Sequence, residues 1–215
     1  MKLLLFRLPL LVFFAACQAC TTTPEPSTTV NHETVRKPNP EPDDHGRIIA
    51  CGWWCGAPPI RVSASTTLKD ETFPHAFSPD YLLDAKKETV WVEGVNGHGI
   101  GERITFSFDM TDRKPQDTDL GINSVSIING YPESDELWQA NSRVKRLHVY
   151  YDNVLVESIE LADIPTYQQF DLPRYVFTTG EIHEVSFEIA EVYPGSRFED
   201  TVLADVLFNG FGVTH

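Results

Sequence analysis

Positive charge is scarce in this chain. It carries 17 Lys and Arg against 31 Asp and Glu, a formal net charge of −14. A surface of that sign repels polyphosphate, which argues against nucleic acid as a partner. It also leaves an anionic membrane surface no electrostatic hold. Cysteine is nearly absent: of four, two fall at Cys17 and Cys20, and only Cys51 and Cys55 remain beyond them. No framework of long-range disulfides can be built from one pair. There is no Gly-x-Ser-x-Gly and no His-Glu-x-x-His, and the seven histidines are scattered without ligand spacing. The signatures of α/β-hydrolases and zinc proteases are therefore missing. Acidic pairs such as Glu93/Glu102 have the residue types of glycosidase carboxylates. With 31 acidic residues, however, such pairs are expected by chance.

Glycine is concentrated rather than plentiful. The stretch VEGVNGHGIGERITFSF, residues 92–108, holds Gly94, Gly97, Gly99 and Gly101. In a phosphate loop such glycines open a helix whose N-terminal amides hold the anion. Here the next residues, Arg103 to Met110, alternate apolar and polar with β-branched and aromatic side chains. That is the period of a strand. No Gly-Lys-Ser/Thr follows, so a nucleotide is not the expected ligand.

The chain opens with Lys2 and Arg7 flanking a short apolar run that ends in Ala15-Ala16-Cys17. This predicts a secretory signal over residues 1–17, too short for a spanning helix. Phe14-Ala15-Ala16-Cys17 resembles a bacterial lipobox, with Phe14 where Leu, Val or Ile is usual. The expectation is cleavage before Cys17 and its lipidation; an ordinary signal cleaved near Ala19 is the alternative. Removing Lys2 and Arg7 takes the formal charge from −14 to −16, so a lipid would have to supply membrane attachment alone. Gln18 after the cysteine points to an outer-membrane location in a Gram-negative envelope. Residues 18–45 are rich in Thr, Pro and acidic side chains and poor in aliphatics. Such a segment cannot bury enough apolar surface to offset its ordering entropy, and it reads as a disordered tether.

From residue 46 onward strands dominate. Period-two patterning predicts them at residues 61–65, 89–93, 103–110, 123–129, 144–151, 154–161, 167–172, 181–192 and 202–208. Asp152-Asn153 supplies a two-residue hairpin turn between two of them. Helical signals are few: Ser78-Pro79 caps one short segment, and Ser134 caps another through Ala140. Many short strands with regular turns predict an all-β fold, an antiparallel sandwich or barrel forming a single domain over 46–215. Cys51 and Cys55 lie in a secreted context, so a local disulfide is the simplest assignment. Three intervening residues and no βαβ context separate the pair from thioredoxin-like motifs. Trp53 and Trp54 either pack on the sandwich or project as a stacking surface for sugar.

Several fragments occur in the order of one known family: SASTTL (63–68), YLLDAKKETVWVEGVNGHGIGERI (81–104), SIINGY (126–131), ANSRVKRL (140–147) and VYPGSRFEDTVLADV (192–206). Over about residues 58–210 the chain resembles the NADase-type glycan-binding domain, a discoidin-like module of the galactose-binding β-sandwich superfold. No segment corresponds to the NAD-glycohydrolase domain that accompanies this module elsewhere. The resemblance implies glycan binding rather than catalysis. It places the glycine-rich loop at the rim of the sandwich, as tight turns alone or as a small-residue surface for a flat sugar ring, with His98 its bulky polar side chain. It makes Trp91 a core residue. It makes His98, Asn129, Tyr131, Trp138, Asn141 and Arg143 candidate glycan contacts, since sugars are held by aromatic faces with amide and guanidinium donors. It also implies a structural calcium held by Asp84, Thr89 and Asp205, whose oxygens suit that ion. Ala85-Lys86 replaces the usual Gly-Asp, and Lys86 brings a like-signed charge to the site. The expected protein is thus a non-catalytic carbohydrate-binding module of a lipid-anchored envelope protein. The alternatives are a domain that binds a protein partner through the same loops and, behind it, a hydrolase.

Overall fold

The structure is a computed structural model that describes residues 34–39, 53, 57–58, 60–113 and 119–212. Cys17, Cys51, Trp54 and Cys55 lie outside the described residues, so the expected lipidation and disulfide fall there too. Ten strands form: β1 (Val35–Arg36), β2 (Ile60–Ala64), β3 (Trp91–Val92), β4 (Arg103–Asp109), β5 (Gly121–Asn129), β6 (Ser142–Tyr151), β7 (Val154–Glu160), β8 (Tyr167–Val176), β9 (Ile182–Tyr193) and β10 (Thr201–Phe211). A 3-10 helix spans Pro79–Leu83 and one helix, α1, spans Asp135–Ala140.

The strands make two leaves. One runs β2-β4-β9-β6, with β7 on the far side of β6 and β1 beyond it; the other runs β10-β5-β8, with β3 also on β10. Pairing within the leaves is antiparallel except for the parallel β1–β7 contact. The leaves join where β10 meets β6 in parallel over Thr201↔Ser142 and Val202↔Arg143. Strand β4 shows why the leaves face each other: Ile104, Phe106 and Phe108 are buried while their alternating neighbours are half-exposed. Across the gap Phe106 and Phe108 meet Phe208 of β10 edge-on at 5.0 and 5.2 Å, and Phe187 of β9 stacks on Phe208 at 6.0 Å. Trp53 and Trp91 belong to the same core. A second, smaller cluster (Val90, Val92, Ile128, Val202 and Ala204) covers the outer face at one end of β10, with Phe77, Tyr131 and Tyr167 packed on it.

Both caps act as expected. Ser78 accepts from the Asp80 amide ahead of Pro79, and Ser134 accepts from Leu137 N. The Asp152-Asn153 turn has positive φ at both residues, 44° and 65°. One element departs from expectation. β1 lies within the stretch read as a tether, paired to β7 through Val35↔Ser158 and Arg36↔Ile159. Asn39 then donates to Gln169 O of β8 at 2.8 Å. These residues span the edges of both leaves, where unpaired strand backbone would otherwise be open.

Candidate functional site

Three loops meet at one end of the sandwich: residues 93–102 between β3 and β4, 130–141 between β5 and β6, and 194–200 between β9 and β10. The glycine-rich loop turns directly into β4, with no helix for an anion to cap. Its glycines have a packing reason. A Cβ on Gly99 (φ +64°) would stand 2.5 Å from Glu93 Cγ, and one on Gly94 would stand 2.6 Å from the Thr67 backbone. Beneath the loop Glu93 is fully buried; one carboxylate oxygen accepts from Val95 N at 2.7 Å and the other from Thr201 N at 3.4 Å. Burial pushes its carboxyl pKa up, against those two backbone bonds, and the charges of Asp200 and Glu102 add to the rise. Glu102 is held separately by the hydroxyls of Ser65 and Thr66.

The loops are stitched together through His98 and Ser142. Thr201 Oγ1 donates to His98 O at 2.8 Å, and Gly195 N donates to Ser142 Oγ at 3.0 Å. His98 Nδ1 lies 3.1 Å from both Ser142 Oγ and Glu199 O. A carbonyl only accepts, so Nδ1 carries a proton there.

His98, Asn129, Trp138, Asn141 and Arg143 are all brought to this end, but two of them are occupied by the fold. Asn129 is 0 % exposed; it donates to Val144 O at 2.6 Å and accepts from Val144 N at 2.9 Å, as a strand partner would. Arg143 is 7 % exposed and holds Asp163 through two bonds of 3.0 and 2.9 Å, with its third nitrogen on Asn141 O at 2.8 Å. An outside ligand would have to break those bonds to reach either side chain. Both instead fix Trp138. Its indole N–H donates to Asn129 O at 3.2 Å, and the Arg143 guanidinium sits 4.6 Å above the ring. Gly130 packs so closely that a Cβ would come within 2.8 Å of the indole. Trp138 remains half-exposed, as do Asn141 and His98. Asn141 closes α1 by donating to Leu137 O at 2.8 Å. Tyr131 turns away from this group: its ring packs on the smaller cluster and its hydroxyl donates to Glu88 O at 3.3 Å. Sequence reading did not find Glu93, Ser142 and Asp163 as the supports of the site; Glu93 reaches Thr201, Ser142 reaches His98 and Gly195, and Asp163 reaches Arg143, all across long stretches of chain with no spacing to betray them.

The calcium candidates Asp84 and Thr89 are adjacent: Thr89 Oγ1 donates to the Asp84 carboxylate at 2.9 Å and lies 3.5 Å from Lys86 O. Lys86 Nζ stands 4.0 Å from Asp84 Oδ2 on a side chain that is 64 % exposed. Asp205 is fully buried; Tyr167 donates to its Oδ2 at 2.5 Å, and its Oδ1 has no hydrogen-bond partner among the described residues. Burial first, with the Asp84 charge adding, pushes Asp205 up to about 7. A buried carboxylate with an unsatisfied oxygen beside a second carboxylate and a hydroxyl is a donor set that fits a hard cation.

Comparison with known proteins agrees with this architecture. The model of the NAD glycohydrolase translocation F5/8 type C domain matches residues 53–209. No curated protein matches the chain. Among solved structures, the CBM32-1, CBM32-2 and M60 catalytic domains of Clostridium perfringens ZmpB align with TM-score 0.55 and 11 % identity, over 85 % of this chain and 17 % of that one. The pair CBM32-1 and CBM32-2 of the same protein aligns with TM-score 0.48 and 10 % identity, over 70 % of this chain and 34 % of that one. CpGH89CBM32-5 from Clostridium perfringens, solved in complex with GalNAc-β-1,3-galactose, aligns with TM-score 0.47 and 13 % identity, over 70 % and 95 %. The chain thus spans only about a third or less of the multidomain relatives. At these identities the likeness is one of fold: a discoidin-like, carbohydrate-binding-module-like sandwich.

Proposed function

The chain belongs to the NAD glycohydrolase translocation F5/8 type C domain family, and from that premise we propose that it is a non-catalytic module that binds glycan at the three-loop end of its sandwich. The observation that carries the reading is the fixed, half-exposed ring of Trp138. Asn129, Arg143 and Gly130 hold it in one orientation before any ligand arrives. A pre-set aromatic surface loses little entropy when a sugar ring stacks on it. At the same end His98 is half-exposed, and Asn141 keeps an amide oxygen without a protein partner among the described residues. Those are the groups that sugar hydroxyls need. In this reading Cys17 carries the lipid that holds the module in the envelope, and Cys51–Cys55 is a local, structural bridge.

A glycan array probed with the full chain tests the proposal. Wild type should bind, and Trp138→Ala should weaken binding about tenfold or more, the loss of a stacking contact near 1.4 kcal/mol. A wild type that binds no glycan, or a Trp138→Ala variant that binds as well, would transfer the function to a protein partner at the same loops.

Asp84, Thr89 and Asp205 would hold a calcium ion. It would supply the positive charge that the orphaned Asp205 oxygen lacks. Calcium should then raise the melting temperature and EDTA should lower it, with the response lost in Asp205→Asn. An identical melting temperature in both buffers would remove calcium from the account.

A further inference from the structure

The connection from β2 to the 3-10 helix forms a pocket that the function above leaves unused. It has a volume of about 420 Å³ and is lined by Thr72, Phe73, Pro74, His75, Ala76 and Tyr81. Phe73 is 67 % exposed, the most exposed large hydrophobic side chain among the described residues. The loop is nevertheless tightly wound. Asp70 Oδ1 accepts from Thr72 N at 2.7 Å and from Phe73 N at 2.8 Å. Ala76 N donates to Phe73 O at 2.9 Å and Ser78 N to His75 O at 3.3 Å. Phe77, four residues on, is packed on the smaller core cluster. The winding therefore sends one phenylalanine inward and holds the other out in water, where its exposure gains the fold nothing.

The polar groups around Phe73 are equally unused. The Thr72 hydroxyl, the His75 imidazole and the Tyr81 hydroxyl have no hydrogen-bond partner among the described residues. An apolar wall with a few polar groups that no other side chain engages is the composition of a small-molecule site. The chemistry narrows the occupant. Asp70, Glu71 and Asp80 flank the pocket in sequence against the single Lys69, on a chain of net charge −14, so an anion is repelled. A peptide strand would need free backbone donors and acceptors, and the carbonyls of Phe73 and His75 already accept within the loop. What remains is an uncharged ring with an apolar face and hydroxyls at its edge. We infer that this pocket is a second sugar subsite, in which Phe73 stacks on a neutral pyranose while Thr72, His75 and Tyr81 bond its hydroxyls. The inference rests on the glycan reading and adds a contact region to it.

Saturation-transfer NMR on the full chain with galactose, N-acetylgalactosamine, N-acetylglucosamine and N-acetylneuraminic acid tests it. Ring signals from at least one neutral sugar should appear, with none from the anionic one. Phe73→Ala should weaken that sugar about tenfold or more, and Tyr81→Phe about threefold. Phe73→Tyr, which keeps the ring, should bind like wild type, separating stacking from any loss of fold. Full binding by both Phe73→Ala and Tyr81→Phe, while Trp138→Ala abolishes it, would overturn the subsite and leave the glycan reading standing. Loss in the Phe73 variant with Trp138→Ala intact would keep this pocket and remove the three-loop end as the site. Preference for N-acetylneuraminic acid would overturn the charge argument and the inference with it. A wild type that gives no signal with any sugar would overturn both readings.

Discussion

Glu93 is the residue whose ionisation the fold resists most visibly under the glycine-rich loop. Its carboxyl has an ordinary value of 4.5 in the unfolded chain and a higher one in the fold, because burial disfavours the charge. A raised folded pKa means that the native state holds the proton more firmly. The stability this gives is fully present below about pH 4.5 and is lost as pH rises through the folded value. Urea titrations at a series of pH values should therefore show wild type losing ground to Glu93→Gln as pH rises above about 4.5. A difference that stays flat with pH would mean that Glu93 is no less comfortable charged than a surface carboxylate. Residue types were largely readable from sequence, but their availability was not. Trp91, which the family resemblance makes a core residue, is 0 % exposed. The family resemblance makes Asn129 and Arg143 candidate glycan contacts. Their actual partners, Val144 backbone and Asp163, appear only when β5, β6 and the turn after β7 are side by side. An amide or guanidinium looks the same in sequence whether it is free or occupied.

At the scale of elements, every strand predicted beyond residue 46 has its counterpart, as a half-buried alternating strand such as β4 or as a largely apolar run buried on both faces such as β10. β1 was not legible. Its two residues sit in Thr- and Pro-rich sequence, and what orders them is a partner 121 positions away. Arg36 donates Nε and Nη2 to Glu157 at 2.9 and 2.8 Å, and Lys37 pairs with Glu160. The Glu157 side chain is only 2 % exposed, and its Oε1 has no hydrogen-bond partner among the described residues, whereas Arg36 is 35 % exposed. Arg36→Ala would leave a buried carboxylate unpaired. Breaking a buried pair costs about 3–5 kcal/mol, and partial exposure of the arginine lowers that to about 1–3 kcal/mol here. Chemical denaturation should show the loss, and adding Glu157→Gln should recover most of it by removing the stranded charge. Amide exchange at Ser158, whose N–H is bonded to Thr34 O at 2.9 Å, should quicken in the single variant. If Arg36→Ala is as stable as wild type and Ser158 exchanges no faster, the segment contributes nothing to the sandwich edge.

For the whole molecule, the charge balance distinguishes the two functions that share the three-loop end. A chain of net charge −14 approaches any basic protein under strong attraction. Such an association should weaken steeply with salt, since charges beyond about 10 Å are screened at 0.1 M ionic strength. A neutral glycan feels none of this. Its binding comes from ring stacking and from short hydrogen bonds, each worth about 0.5–1.5 kcal/mol net, which salt barely touches. A single sugar held by Trp138 and a few such bonds reaches about −4 kcal/mol, the millimolar range. Affinity for a neutral oligosaccharide should accordingly change by less than about twofold between 50 and 500 mM sodium chloride. Calorimetry with the strongest hit from the array measures this directly. A tenfold or larger loss across that range would show that charge carries the association, and the acidic surface, rather than the fixed tryptophan, would then be what the partner recognises.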